Sequence, residues 1–343
     1  VSALALNPVL YFYDTTTFSE LDFDEEKVRE YYPMMSEWLG VDSTNAEDLN
    51  FVRSVQSDLE SERPSNIVII FMESVGLNRM GLMGNPFDPT PTLDQLANNG
   101  LFFPNFYVPW VSTSRSVFTI VTGIPDVART KTSSRNPLIR DQYSIISQFK
   151  DHDKYYMIGG SASWANIRSL ITYNLKDMDL IELEDFDRPR VDVWGISDLD
   201  LLREAHDLFS KRDSEKPFFA VVQTAANHRP YSIPKDNAGF INKDQDEQVL
   251  QKAGFNSLDQ YNAMRFLDHS IGRFMEMADT ADYFKNTIFV LFGDHGNADP
   301  KAEHMPADDY ALRLRSYNVP FIIYAPGLGM DHRRIETVCG LPD

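Results

Sequence analysis

Three short apolar runs, each leading into residues able to hold a metal ion or move a proton, constrain this chain more than any other feature. N-I-V-I-I-F-M at 66–72 leads to Glu73, F-F-A-V-V-Q-T at 218–224 leads through A-A-N to His228, and I-F-V-L-F at 288–292 leads to Gly293, Asp294 and His295. Runs of this length, apolar and β-branched throughout, suit strands buried on both faces, the condition of a parallel sheet covered by helices. Open α/β sheets bind ligands just outside the carboxyl ends of their strands. The spacing therefore predicts that Glu73, His228 and the Asp294-His295 pair converge on one sheet edge, with Gly293 and Gly296 letting the backbone turn so that both members of the pair reach one cation. Each piece alone has a plainer reading: a capping Asp beside a surface His, or a loop histidine. Glu73 is the exception, since a charge directly after a central strand calls for a cation or an arginine partner.

The rest of the chain alternates in the same manner. The pattern predicts helices at 92–99, 141–151, 166–175, 197–211 and 257–281, and further strands at 101–108, 155–159, 180–183 and 319–324. Thr92 is expected to cap the first of these helices and Gly100 to end it in a left-handed conformation. On 257–281 the residues Leu258, Tyr261, Met264, Leu267, Ile271, Phe274, Met275 and Ala278 form a core stripe; Asp268 and His269 fall off it and read as solvent-facing or as helix-surface partners. The alternation specifies an α/β fold, a doubly wound, mostly parallel sheet flanked by helices, over residues 65–343. Residues 1–64 lack it. They read as an N-terminal extension packed on the core, with an acidic run, a short helix at 24–31 ended by Tyr-Tyr-Pro, and a linker at 61–65.

In W-V-S-T-S-R-S-V-F-T-I-V-T-G at 110–123, small hydroxyl residues precede an apolar run that stops at Gly123, the pattern of a loop feeding a helix. A hydroxyl at such a start lies among free N–H groups and the positive end of the helix dipole, where a phosphate or sulfate ester binds and an alkoxide is favoured. Ordinary capping by Ser112, Thr113 or Ser114 would look the same. Composition narrows the partners. Lys and Arg number 32 against 51 Asp and Glu, a formal charge of -19, which repels nucleic acid and requires a local positive charge to draw any anionic substrate. The one cysteine, Cys339, excludes an internal disulfide. No apolar run approaches the roughly 20 residues of a membrane span, and the ends at Val1 and Asp343 suggest a segment of a longer protein.

Taken in order, I-V-I-I-F-M-E-S, S-T-S-R-S, W-G-I-S-D, F-F-A-V-V-Q-T-A-A-N-H-R-P-Y, F-G-D-H-G and V-P-F-I-I-Y-A-P-G resemble the alkaline phosphatase superfamily, and within it the lipoteichoic acid synthase and phosphoglycerol transferase branch, a sulfatase-like family. The resemblance implies one divalent cation, Mn2+ with Mg2+ or Zn2+ as substitutes, held by Glu73, Thr113, Asp294 and His295. It implies Thr113 as nucleophile, His228 as a catalytic residue that also contacts substrate, and Trp164 in the glycerol-phosphate pocket. The family's pocket arginine comes two residues after that tryptophan; here the position is Asn166, and Arg168 is the nearest arginine and the candidate contact. The implied reaction moves phosphoglycerol from the phosphatidylglycerol head group through a threonine ester to a glycan or polyol acceptor. It implies a location outside the cytoplasmic membrane, with attachment through helices that these residues lack. A phosphoethanolamine transferase or phosphodiesterase on the same scaffold, or a non-catalytic metal-binding extracellular domain, are the competing readings. A sulfatase is disfavoured, because aligning Ser114-Arg115 with the C/S-x-P-S-R frame puts Val111 at the reactive position.

Overall fold

The computed structural model describes residues 24–54, 64–127, 131–136 and 139–341. The chain divides into two units, Val1–Pro64 and Ser65–Asp343. In the first, helix α1 spans Glu25–Trp38 and starts at Asp24, whose carboxylate accepts from the Lys27 amide at 3.1 Å. The stop expected at Pro33 does not occur; the helix runs through it. A proline inside a helix costs about 3 kcal/mol, and here contacts made on both sides of it oppose that cost. Tyr32, 1% exposed, packs edge-on against Phe51 with ring centroids 5.1 Å apart, its hydroxyl bonds the Asn50 carbonyl and accepts from the Asn45 amide, and Ser36 is buried one turn later. Of the expected linker at 61–65, residues 61–63 lie outside the described residues.

The second unit runs β1 (Asn66–Met72), α2 (Pro91–Asn98), β2 (Leu101–Tyr107), α3 (Thr113–Thr122), β3 (Asp153–Ile158), α4 (Ile167–Asn174), β4 (Met178–Ile181), α5 (Asp198–Lys211), β5 (Phe218–Gln223), α6 (Glu247–Lys252), α7 (Leu258–Asp279), β6 (Thr287–Gly293), α8 (Ala307–Ala311), β7 (Asn318–Tyr324), β8 (Arg333–Arg334) and β9 (Cys339–Gly340). The nine strands form one sheet in the order β4-β3-β5-β1-β6-β7-β2-β8, with β9 also on β2. The pairs β1-β5, β1-β6, β3-β4, β3-β5, β2-β8 and β2-β9 are parallel, while β7 runs antiparallel to both β6 and β2. The architecture is an α/β fold, a mixed and mostly parallel sheet flanked by helices, as the alternation requires.

Strand alternation divides the core in two. Val68, Ile70 and Met72 of β1 pack with Leu202 and Phe209 of α5 and Met264, Leu267 and Phe274 of α7. Phe71, with Ile67 and Ile69 on the same face, packs with Val117, Phe118 and Val121 of α3 and Ile167, Leu170 and Ile171 of α4. Both faces of β1 are thus covered, as its unbroken apolar run requires.

Two local expectations fail for identifiable reasons, and a third is decided between its two alternatives. Gly100 is not left-handed; a Cβ there would lie 2.3 Å from the Ile323 carbonyl oxygen, so the glycine serves close approach to β7. No α-helix forms at 141–151, only a short turn at Ile145–Gln148, because Asp141 takes a left-handed backbone (φ 51°) and the Ser144 hydroxyl captures the Ile146 amide. Asp268 does not face solvent. It is 2% exposed, and its two oxygens accept from the Thr92 and Leu93 amides at 3.0 and 2.8 Å, so α7 caps α2 from across the core while Thr90, the residue before Pro91, bonds Asp94 instead.

Candidate active site

Because β5, β1 and β6 are adjacent and parallel, their carboxyl ends deliver Asn227-His228, Glu73 and Asp294-His295 side by side. Thr113 joins them from the first residue of α3. Its hydroxyl oxygen lies 3.1 Å from Glu73 Oε2 and 3.3 Å from His295 Nε2. Ser112 does not cap the helix with its side chain, pairing with Ser114 Oγ at 3.1 Å, which leaves the first-turn amides to other acceptors. One turn on, Ser116 Oγ donates to the Asp294 carbonyl at 2.6 Å and ties α3 to the loop after β6.

That loop is tightly wedged. Gly293 and Gly296 do not have positive φ; a Cβ at Gly293 would meet the Val75 carbonyl oxygen at 2.2 Å and one at Gly296 the Arg315 carbonyl oxygen at 2.0 Å. The glycines supply space and not unusual backbone angles. Strain sits instead at Ser74, a non-glycine at φ 55°, whose amide donates to Asp294 Oδ1 at 2.6 Å and whose hydroxyl donates to Glu73 Oε1 at 2.7 Å.

Glu73, Asp294 and His295 are all buried, each offering a ligand atom within 4.8 Å of the others'. Among the described residues no Arg or Lys pairs with Glu73. The His295 Nδ1 faces the Gly296 carbonyl at 2.8 Å, and since a carbonyl only accepts, Nδ1 carries the proton and Nε2 presents a lone pair inward. Asp294 Oδ2 lies 3.4 Å from that same Nε2 and has no hydrogen-bond donor among the described residues. Burial first, then the Glu73 charge, pushes the Asp294 carboxyl up to about 7. Burial opposes protonation of His295, but the Asp294 and Glu73 carboxylates outweigh it and its pKa is raised. Two carboxylates and an imidazole lone pair converge with no Arg or Lys paired to them among the described residues, the nearby Arg79 being paired with Asp299, and this donor set fits a divalent cation.

Beside this cluster opens a cavity of about 520 Å³, lined by Glu73, Ser74, Val111, Ser112, Thr113, Asn227, His228, Arg229, Tyr231, Asn256, Gln260, His295, Asn297, Ala298 and Asp299. His228 is exposed; its ring centroid lies 4.1 Å from that of Trp194, and its Nδ1 donates to the Arg229 carbonyl at 3.0 Å. Trp164 and Arg168 are not among these lining residues. Trp164 packs against the second core, and Arg168 is clamped by Glu182 through Nε at 2.8 Å and Nη2 at 2.6 Å.

The polar wall formed by Asn227, Asn256, Gln260, Asn297 and Asp299 was not anticipated from the sequence. Asp299 is buried against Arg79, 2.6 Å from Nη2, and its other oxygen accepts from Asn256 and Gln260 at 2.9 and 3.4 Å. Asp198, also unanticipated, accepts from the Ala225 and Ala226 amides at 2.8 and 2.9 Å and so fixes the turn ahead of His228; burial first, with Glu73 adding, raises its carboxyl to about 6.

The family model described as sulfatase matches residues 65–338. This chain belongs to the sulfatase family. Among curated sulfatase-family relatives, an arylsulfatase of Clostridium perfringens is 24% identical over 336 residues, 76% of this chain and 69% of that enzyme. A protein of the alkaline phosphatase superfamily from Vibrio parahaemolyticus superposes with a TM-score of 0.72 at 20% identity, covering 94% of this sulfatase-family chain and 73% of the other. The lipoteichoic acid synthase LtaP from Listeria monocytogenes superposes at 0.67 with 19% identity, covering 82% and 70%. No helix of the described residues is long and apolar enough to cross a membrane.

Proposed function

We propose that this sulfatase-family domain transfers a phosphoglycerol group from phosphatidylglycerol, through an ester on Thr113, to a glycan or polyol acceptor, at the outer face of the cytoplasmic membrane. The observation that carries the proposal is the placement of the Thr113 hydroxyl: first residue of a helix, 3.1 Å from Glu73 and 3.3 Å from His295, in the lining of the polar cavity. Glu73, Asp294, His295 and the Thr113 hydroxyl would hold the divalent cation, Mn2+ foremost. Such an ion favours the alkoxide over the alcohol and offsets charge that builds on the transferred group.

The remaining work falls to side chains of the chain itself. Thr113 enters as the alkoxide, its hydroxyl proton already released to solvent, and is regenerated as the alkoxide when the acceptor displaces it; Oγ1 forms the new bond to phosphorus as the bond to the diacylglycerol oxygen breaks, and the uncapped amides of α3 face the charge on the phosphoryl oxygens. His228 already commits Nδ1–H to the Arg229 carbonyl, so as imidazolium it has one further proton, on Nε2, to give to the departing alkoxide. The neutral ring then takes a proton from the acceptor alcohol as that alcohol displaces Thr113.

The curated relative supports a second reading, hydrolysis of a sulfate ester. Val111 in the place of a formylglycine precursor supports phosphoryl chemistry instead. Incubation of the Mn2+-loaded protein with labelled phosphatidylglycerol and candidate glycans, followed by mass spectrometry of products and of the tryptic peptide holding Thr113, separates the two. Diacylglycerol release with a phosphoglycerol adduct on Thr113 is the expected result. Turnover of an aryl sulfate with no such adduct would replace it by the sulfatase reading.

A further inference from the structure

We propose that Arg229 binds the oxyanion of the substrate ester, taking the place of the tryptophan-linked arginine. The inference rests on the group-transfer reading above and applies equally to a phosphoryl or a sulfuryl oxyanion. A chain of formal charge -19 must gather an anion against its own field. Of the described residues lining the cavity, Arg229 alone carries a guanidinium or ammonium group.

The neighbouring arginines are committed elsewhere. Arg168 holds Glu182, Arg79 is buried against Asp299, and Arg115 is buried against Asp126 and stacked 4.7 Å over the Trp110 ring. Arg229 has the opposite arrangement. Its carbonyl is held twice, by the Trp194 indole N–H at 2.7 Å and by His228 Nδ1–H at 3.0 Å. Its side chain has no ion pair or hydrogen bond among the described residues. The main chain is therefore fixed beside the histidine proposed to move protons, while the planar fork stays free to take two oxygens of a tetrahedral anion at once.

Titration calorimetry of the Mn2+-loaded protein with glycerol 1-phosphate, and separately with sulfate, tests this without requiring turnover. Arg229→Gln should weaken binding of at least one probe by about tenfold or more, as expected when a charge-assisted pair is lost, with an unchanged melting temperature. Arg229→Lys should recover part of that loss. In steady-state assays KM should rise more than kcat falls. If Arg229→Gln binds both anions as wild type does, or if Arg168→Gln is the variant that loses affinity, the assignment is wrong. Loss of sulfate affinity in Arg229→Gln, in a protein that never turns over phosphatidylglycerol, would leave Arg229 as the anion site and remove the phosphoglycerol reading instead.

Discussion

Thr113 and His228 reach the cavity by different routes, one from a helix start and the other from a strand end, and their substitutions should separate cleanly. Thr113→Ala should lower turnover to background while the fold persists, since Thr113 follows the cap position and its hydroxyl caps no backbone amide; Thr113→Ser should keep measurable activity, and an adduct mapped to Ser112 or Ser114 would reassign the nucleophile. His228→Ala should leave bound Mn2+, measured by elemental analysis, unchanged while turnover falls by about a hundredfold. Loss of metal with the histidine would place it among the ligands. The convergence of Glu73, Asp294 and His295 could be read from the sequence because each follows a strand whose apolar pattern is unmistakable; the helix pattern left Ser112, Thr113 and Ser114 equivalent, and only the family resemblance singled out Thr113. Asn227, Asn256, Gln260 and Asp299 could not. Their chemistry is ordinary for loops, and only the fold brings Gln260 of α7 to within 3.4 Å of Asp299 beyond β6.

The central strands were legible and the edge strands β8 and β9 were not, and the reason is burial. A strand covered on both faces has to be apolar throughout, so β1 begins and ends where its composition says. Helix ends depend on donors and acceptors that come from elsewhere, and Asp268 is the clearest case, since nothing in its own helix indicates that it caps α2. Asp268→Ala should strand two buried amides and destabilise the protein by about 2 kcal/mol in urea unfolding, with kcat per folded molecule unaltered. Burial raises the Asp268 carboxyl to about 7, against the pull of its two amide donors. The folded state therefore holds a proton through a window, from about 4 to about 7, in which the unfolded chain has released it. Asp268's contribution to stability is present at the acid end and lost as pH rises, and Asp268→Asn should flatten that part of the profile. An unchanged slope in Asp268→Asn would assign the pH dependence to other groups.

The Ser65–Asp343 unit is tied together by residues from β1, α3 and the loop after β6, so occupancy of the metal site should register in the unfolding of that unit. At a hundredfold excess over the dissociation constant, a ligand specific for the native state adds about 2.7 kcal/mol. Mn2+ should accordingly raise the melting temperature of wild type by several degrees, and Glu73→Gln should abolish most of that rise. The overall charge of -19 has its own signature. Adding salt from about 0.01 to 0.15 M shortens the screening length from about 30 to 8 Å, which should lower KM for a soluble anionic ester and leave that for an uncharged analogue flat. A KM that climbs with salt would mean that local attraction dominates the global field.

The wedge at Gly296 bears on inheritance. Any single-base missense change in a glycine codon introduces a side chain, and each would place an atom 2.0 Å from a main-chain oxygen, that of Arg315, which cannot swing aside as a side chain could. The loop that presents Asp294 and His295 would have to move with it. In a saturation library selected for activity, position 296 should return glycine alone, so that the codon behaves as a near-lethal target although its residue touches neither metal nor substrate.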